Sequence, residues 1–252
     1  MNSLNYKKYS QIFLKSLQNE NNQFIKTEEV LDWIVAKNNE VLVDVKQIPI
    51  KNLSNWHIDT NFSKIFHESG HFFSIKGINV ETNYGKINSW SQPIIDQPEV
   101  GILGFLTKEF NGILHFLVQA KIEPGNINSV QISPTLQATK SNYTQKHKGA
   151  LPKYLSYFLE PEKHEIIYNQ LQSEQGARFL KKLNRNIIIK VKEDIKLERD
   201  FIWLTLGQIK KLSLKNNIIN MDTRTVVSCI NYRNTNQLYD HSLNDSINNI
   251  KP

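Results

Sequence analysis

Apolar residues recur at two different intervals along this chain, and each interval predicts a different kind of element. Up to about residue 50 the spacing is helical and the segment is expected to be peripheral: Tyr9, Phe13 and Leu17 fall on one stripe, and Val30, Leu31, Ile34 and Val35 on a second. Thr27 followed by Glu28 and Glu29 reads as the start of that second helix, with two carboxylates suited to the positive end of the helix dipole. From about Phe72 the period changes towards two, and Phe73 to Gly77 and Ile102 to Leu106 read as strands bounded by Gly, Asn and Pro. Residues 113–123 and 130–139 alternate most regularly, and the turn-forming Pro124-Gly125-Asn126 between them predicts a hairpin. Beyond Pro161 the spacing of Ile166, Tyr168, Leu171, Phe179 and Leu180 predicts a helix to about Leu183, weakened at Gly176. Ile187 to Val191 reads as a short buried strand, and Thr205-Leu206-Gly207-Gln208 matches a capping box opening a helix. Asp222 is read as the cap of one more helix, and the Asn-rich chain after Arg233 as a loosely held tail. The expected division is a helical segment over 1–50, a main module over 51–232 and the tail over 233–252. No internal repeat is seen.

The hairpin carries the most suggestive chemistry. Phe116, Val118, Ala120 and Ile122 alternate with His115, Gln119, Lys121 and Glu123, and the second strand sets Gln131, Ser133, Thr135, Gln137 and Thr139 against its own apolar positions. Two neighbouring strands would then share a polar face. A face turned to bulk water tends to carry long charged side chains, whereas Gln, Ser and Thr around one His, one Lys and one Glu suit a lined pocket. An acid, a base and a cation together are what proton transfer requires.

Composition narrows the field without choosing a ligand. With 252 residues, 39% hydrophobic and 22% charged, the chain has ample material for a globular core. A formal net charge of +7 makes an anionic partner plausible, but the basic and aromatic residues are not interleaved in a way that predicts a nucleic-acid partner. The single Cys229 excludes a disulfide framework and suggests a reducing, cytoplasmic setting. No apolar run reaches the ~20 residues of a membrane span, so no membrane partner is expected.

Short motifs mostly argue by their weakness. His67-Glu68-Ser69-Gly70-His71 formally matches the HExxH of zinc proteases, which needs a helix to put both imidazoles on one face; Ser and Gly in the middle and a strand-like FFSI behind it oppose that helix. There is no GxGxxG and no GxxxxGK[ST]. The basic run Lys181 to Arg185, with Arg178 before it, could meet a phosphate or only solvate a helix end.

Longer strings carry a resemblance. SWSQPIIDQPEVGILGFL (89–106), GILHFLVQAKIEPGNINSVQISPTLQATKSNYT (112–144), LQSEQGARFLKKLNRN (171–186), FIWLTLGQI (201–209) and NMDTRTVVS (220–228) resemble the NDP-hexose 2,3-dehydratases of deoxysugar biosynthesis. The resemblance implies an α+β fold, a mixed β-sheet flanked by helices and similar to the Nudix hydrolases. With Glu174-Gln175-Gly176 laid on the end of a Nudix box, only Glu174 keeps an acid, so no metal site and no cofactor are expected. It also implies loss of water across C2 and C3 of an NDP-4-keto-6-deoxyhexose, with a dTDP-linked 4-keto-6-deoxyglucose as substrate and a 3-ketoreductase downstream. Family members resemble one another in carrying two such modules in tandem; this chain has room for one, so a homodimer is expected. For the chemistry, Glu123 is the expected base, Lys121 the partner of the developing enolate, and His115 or Tyr143 the acid. Arg178 and Arg185 are the expected pyrophosphate ligands, Trp90 a stacking platform, and Gln92, Asn142, Gln172 and Ser173 further hydrogen-bonding partners. The alternatives are a nucleotide-sugar-binding module without turnover and, from HESGH alone, a zinc protease.

Overall fold

The computed structural model describes residues 3–59, 61, 63–143 and 150–232, with the side chains of 9–59, 61, 63–141 and 150–232. The tail expected after Arg233 lies outside the described residues, as do the side chains of Asn142 and Tyr143.

The two predicted N-terminal helices are present as α1 (Ser3–Leu17) and α2 (Thr27–Glu40). A meander of β1 (Trp56–Asp59), β2 (Lys64–His67), β3 (Ser74–Glu81) and β4 (Ser89–Asp96) follows, antiparallel throughout. The main sheet uses β5 (Gly101–Phe110), β6 (Ile113–Ile122), β7 (Val130–Pro134), β8 (Leu136–Ala138), β9 (Glu165–Ser173), β10 (Leu183–Val191) and β11 (Phe201–Thr205). Short helices α3 (Lys140–Tyr143) and α4 (Leu155–Leu159) precede β9, and α5 (Leu206–Ser213) and α6 (Met221–Ser228) follow β11. The main sheet is ordered β11-β6-β5-β10-β9, mixed because β10 runs parallel to β5. Helices cover it, giving the α+β architecture expected.

β5 and β6 form a hairpin closed by Asn111 and Gly112, at φ 51° and 72°. Two consecutive positive φ values are what a two-residue hairpin turn matched to strand twist demands. The two strands pair only from Thr107 and Phe116 to the turn, then splay apart. β7 fills the gap along β6, and the chain crosses at Pro134-Thr135 to pair as β8 with β5. The predicted hairpin of β6 and β7 is therefore present, but it ends at Pro134. Thr135 sits at the crossing, where its hydroxyl accepts from the Leu106 amide (2.9 Å) and donates to the Leu117 carbonyl. It supplies the two hydrogen bonds that the diverging strands cannot make.

One face of the sheet buries Leu103, Phe105, Phe116, Val118 and Ile188 under α1, α2, α5 and α6, with Phe13, Val30 and Ile34 in the same cluster. The other face buries Leu106, Leu117, Ile187 and Ile189 beside Leu155 and Phe158 of α4. α1 is tied in by Ser16, whose hydroxyl donates to the Leu114 carbonyl (2.6 Å) and accepts from the Leu206 amide (2.9 Å).

Three expectations are corrected. Residues 161–183 are not a helix: Pro161–Lys163 is a single 3-10 turn and Glu165–Ser173 is β9, the edge strand against β10. The run Ile166, Ile167, Tyr168 suits a strand once β10 offers a partner, and the segment compared with a Nudix box is extended. The cap of α6 is Asn220, whose side chain accepts from the Thr223 amide (2.8 Å), and not Asp222. HESGH is not helical: His67 ends β2 and the next residues turn, with Gly70 at φ 68°, so the two imidazoles do not share a helix face.

Candidate active site

β10 begins Asn184-Arg185-Asn186 before its isoleucines, so alternation sends both asparagine side chains to the α6 face and Arg185 to the other. Asn184 pairs in register with Gly101 and Gln172, and Asn186 with Leu103. A Cβ on Gly101 would stand 2.5 Å from Asn184 Oδ1, so only glycine leaves room for that amide. Asn186 donates to Gln172 Oε1 (2.7 Å), and Gln172 donates to Cys229 Sγ (3.3 Å). Asn184 donates to Glu174 Oε2 (2.6 Å), and Glu174 Oε1 accepts from the Gln175 amide (3.1 Å).

A second chain of bonds enters from the hairpin end. Glu123, just past β6, accepts from Gln137 Nε2 (2.8 Å) and, more weakly, from Asn220 Nδ2 (3.5 Å); Asn220 also donates to Gln137 Oε1 (3.1 Å). The residue that caps α6 thus also orients the hairpin carboxylate. Against the first of these chains lies a cavity of ≈ 230 Å³, lined by Leu103, Gln172, Ser173, Glu174, Asn184, Asn186 and Asp222 among others. Two groups there are unspent. Asn186 is fully buried and its Oδ1 has no hydrogen-bond partner. Asp222 has no hydrogen bond to any described residue; burial, then the negative charges of Glu123 and Glu174, push its carboxyl up from 3.8 to about 6, with Lys121 pulling the other way.

The site residues expected from sequence divide into three groups. Glu123, Lys121, Gln172 and Ser173 gather at or beside this cavity. Trp90 and Gln92 lie on the small sheet next to the 175–179 loop that carries Arg178: Trp90 Nε1 donates to Gln92 Oε1 (2.9 Å), and Gln92 donates to the Ala177 carbonyl (2.9 Å). Gln175, in the same loop, lines the cavity, so the loop is its wall on that side. His115 and Arg185 are placed elsewhere. His115 lies at the opposite end of β6, about 25 Å of strand from Glu123. It is buried against Phe24 and Phe110, Nδ1 donates to the Ile113 carbonyl (2.9 Å), and burial holds its pKa down. Arg185 donates to Asn169 Oδ1 (3.0 Å) on the far face. Tyr143 and Asn142 fall outside the described side chains.

The polar hairpin face is also mostly consumed by the fold. Gln131, Ser133 and Thr135 are buried, and Thr135 serves the strand crossing. Lys182 of the basic run is buried too, donating to the Glu99 carbonyl, with burial holding its ammonium below the ordinary lysine range. Sequence reasoning missed Asn184, Asn186 and Asp222 as site residues. The first two had a legible signal, because asparagines at alternate positions leading into Ile-Ile-Ile put amides on a core-facing side.

A family model described as NDP-hexose 2,3-dehydratase matches residues 27–230, which contain every residue of this cavity. The chain belongs to that family. Among curated relatives of this dehydratase family member, a dTDP-4-dehydro-6-deoxy-alpha-D-glucopyranose 2,3-dehydratase of Saccharopolyspora spinosa is 47% identical over 223 residues, 88% of this chain and 46% of the relative. Proteins of the same description from Amycolatopsis orientalis and Streptomyces violaceoruber are 46% and 42% identical, covering 83% and 78% of this chain and 45% and 44% of theirs. The chain therefore spans less than half the length of these relatives. Among solved structures, one described as an ADP compounds hydrolase aligns at a TM-score of 0.40 and 8% identity, over 62% of this chain and 83% of that one.

Proposed function

We propose that this chain performs, in the cavity under α6, the elimination of water across C2 and C3 of dTDP-4-keto-6-deoxyglucose, giving the 3,4-diketo-2,6-dideoxy sugar nucleotide. The observation that carries the reading is a cavity walled by amides and carboxylates, with the free carboxylate of Asp222 and the buried Asn186 both in its lining. A volume of ≈ 230 Å³ is below the ~300 Å³ at which small-molecule clefts begin, so it suits a sugar ring better than a whole nucleotide sugar. The nucleotide would then extend past the 175–179 loop, where Trp90 can stack on the base and Arg178 can meet the pyrophosphate.

The chemistry needs little beyond what lies there. The C4 ketone acidifies the C3 hydrogen, a carboxylate removes it, and charge gathers on the C4 oxygen, for which Lys121 is the nearby cation. Collapse of the enolate expels the C2 hydroxyl, and the resulting enol takes a proton at C2. The substrate supplies its own electron sink, and a ketoreductase acting at C3 must follow, because the diketone is reactive. We place the activity in a homodimer, with the exposed apolar residues Leu42, Val45, Ile48 and Ile50 in the contact, and the lone Cys229 favours the cytoplasm.

Incubation with dTDP-4-keto-6-deoxyglucose in D2O, borohydride quenching and mass spectrometry should show a nucleotide sugar lighter by one water and carrying deuterium at C2. Unchanged substrate that still binds by calorimetry would sink the reading and favour a binding module, the alternative suggested by the partial coverage of the relatives.

A further inference from the structure

Two carboxylates, Glu174 and Asp222, line the cavity and a third, Glu123, acts on Asp222 from beside it; their bonding separates their roles. Glu123 has both oxygens engaged, by Gln137 and Asn220. Glu174 has both engaged, by Asn184 and the Gln175 amide. Asp222 has neither engaged by a described residue and lines the cavity. A base must present an open lone pair to the substrate: Glu123 lies outside the cavity's lining, each oxygen of Glu174 already holds a donor, and Asp222 is in the lining with neither oxygen engaged by a described residue. Accepting the dehydratase reading above, on which this rests, we infer that Asp222, rather than Glu123, removes the C3 proton, and that Glu123 is a positioning residue acting on Asp222 through its charge.

The step balances without a second acid. The Asp222 carboxylate takes the C3 proton, and the C–H electron pair moves to the C4 oxygen. That pair returns, forming the C2–C3 double bond and releasing the C2 hydroxide, which leaves as water with the proton Asp222 has just gained. Asp222 is again a carboxylate, and solvent exchanges the enol O–H proton for one at C2.

The charges facing Asp222 are Glu123 from the end of β6, Glu174 from beyond β9 and Lys121 from β6. Lys182, before β10, faces Glu174, while Arg224 on α6 is turned to the Ile219 carbonyl (3.3 Å). Burial first, and then two anions against one cation, hold the Asp222 carboxyl in the range where it can both take and return a proton near neutral pH.

The test compares the parent, Asp222→Asn and Glu123→Gln by the pH dependence of kcat/KM, with dTDP binding measured by calorimetry. In the parent, kcat/KM should rise with pH through a midpoint near 6. Asp222→Asn should lose about 10²–10⁴-fold in kcat while binding dTDP as before. Glu123→Gln should keep turnover on the alkaline plateau to within about tenfold and move the acidic midpoint to lower pH, since a repelling charge is gone. A loss of packing alone would not move that midpoint. An Asp222→Asn enzyme within about threefold of the parent would overturn the inference, as would a Glu123→Gln enzyme that is dead or has an unmoved midpoint. If Asp222→Asn does not fold, the Glu123→Gln midpoint still decides. A parent with no turnover sinks the dehydratase reading itself, and the inference falls with it, a result distinct from an active parent with an active Asp222→Asn.

Discussion

At the scale of single residues, Asp222 shows how placement overrides local expectation. It occupies the first turn of α6, where the helix dipole favours an anion by about 0.3–1 kcal/mol. Loss of water and the neighbouring Glu123 and Glu174 nevertheless leave its carboxyl at about 6. A carboxyl raised in the folded state binds more protons folded than unfolded between 3.8 and about 6, so its contribution to stability falls as pH rises through that window. Asp222→Asn should therefore melt at a higher temperature than the parent at pH 8, with the gain shrinking as pH drops below 6 and gone near pH 3.5. Calorimetric melting across that range is the measurement, and a variant less stable at pH 8 would contradict it. From sequence, Asp222 read only as a helix cap, because its carboxylate neighbours are 48 and 99 positions away along the chain. Thr135 is the converse case. It was legible as polar and inward-facing, but its task at the strand crossing depends on where β5 and β6 part.

At the scale of elements, legibility followed how local the determining interactions are. The capping box of α5 was readable because both partners are three residues apart: Thr205 Oγ1 accepts from the Gln208 amide (3.1 Å), and Gln208 Oε1 accepts from the Thr205 amide (3.0 Å). The Thr205 hydroxyl also donates to the Asn19 carbonyl, joining α5 to the end of α1, which the sequence did not disclose. Thr205→Ala should cost about 1–2 kcal/mol, at the upper end for a cap because a buried carbonyl also loses its donor. Urea unfolding checks this, and a shift below about 0.5 kcal/mol would show that the cap contributes little. β9 was misread for the opposite reason. Its apolar spacing fits a helix about as well as a strand, and what selects the strand is the line of backbone donors and acceptors on β10, residues further along the chain.

For the whole molecule, α1 and α2 are not peripheral, as their sequence had suggested, but structural members of the main core, since Phe13, Val30 and Ile34 pack with Phe116 and Leu204. The stretch after α2 is different: Leu42, Val45, Ile48 and Ile50 are 96%, 64%, 49% and 51% exposed. Exposed apolar residues gathered on one segment suit a contact between chains, in keeping with the homodimer proposed above. Sedimentation equilibrium should give a mass near twice 29.3 kDa, and Leu42→Asp with Val45→Asp should shift it to monomer. A parent that is monomeric at tens of micromolar would remove the dimer. Among the described residues no helix is long and apolar enough to cross a membrane. By itself the sequence determined the helical N-terminal region, the β6–β7 hairpin, the α5 cap and the family, because these rest on periodicity, on contacts a few residues apart or on long strings of side chains. Tertiary structure decided that β9 is a strand, that His115 and Glu123 stand at opposite ends of β6, and that Asp222 and Asn186 line one cavity. Those facts depend on pairing register and on burial, and a carboxylate's pKa and freedom to act are set by neighbours that only the folded chain brings within reach.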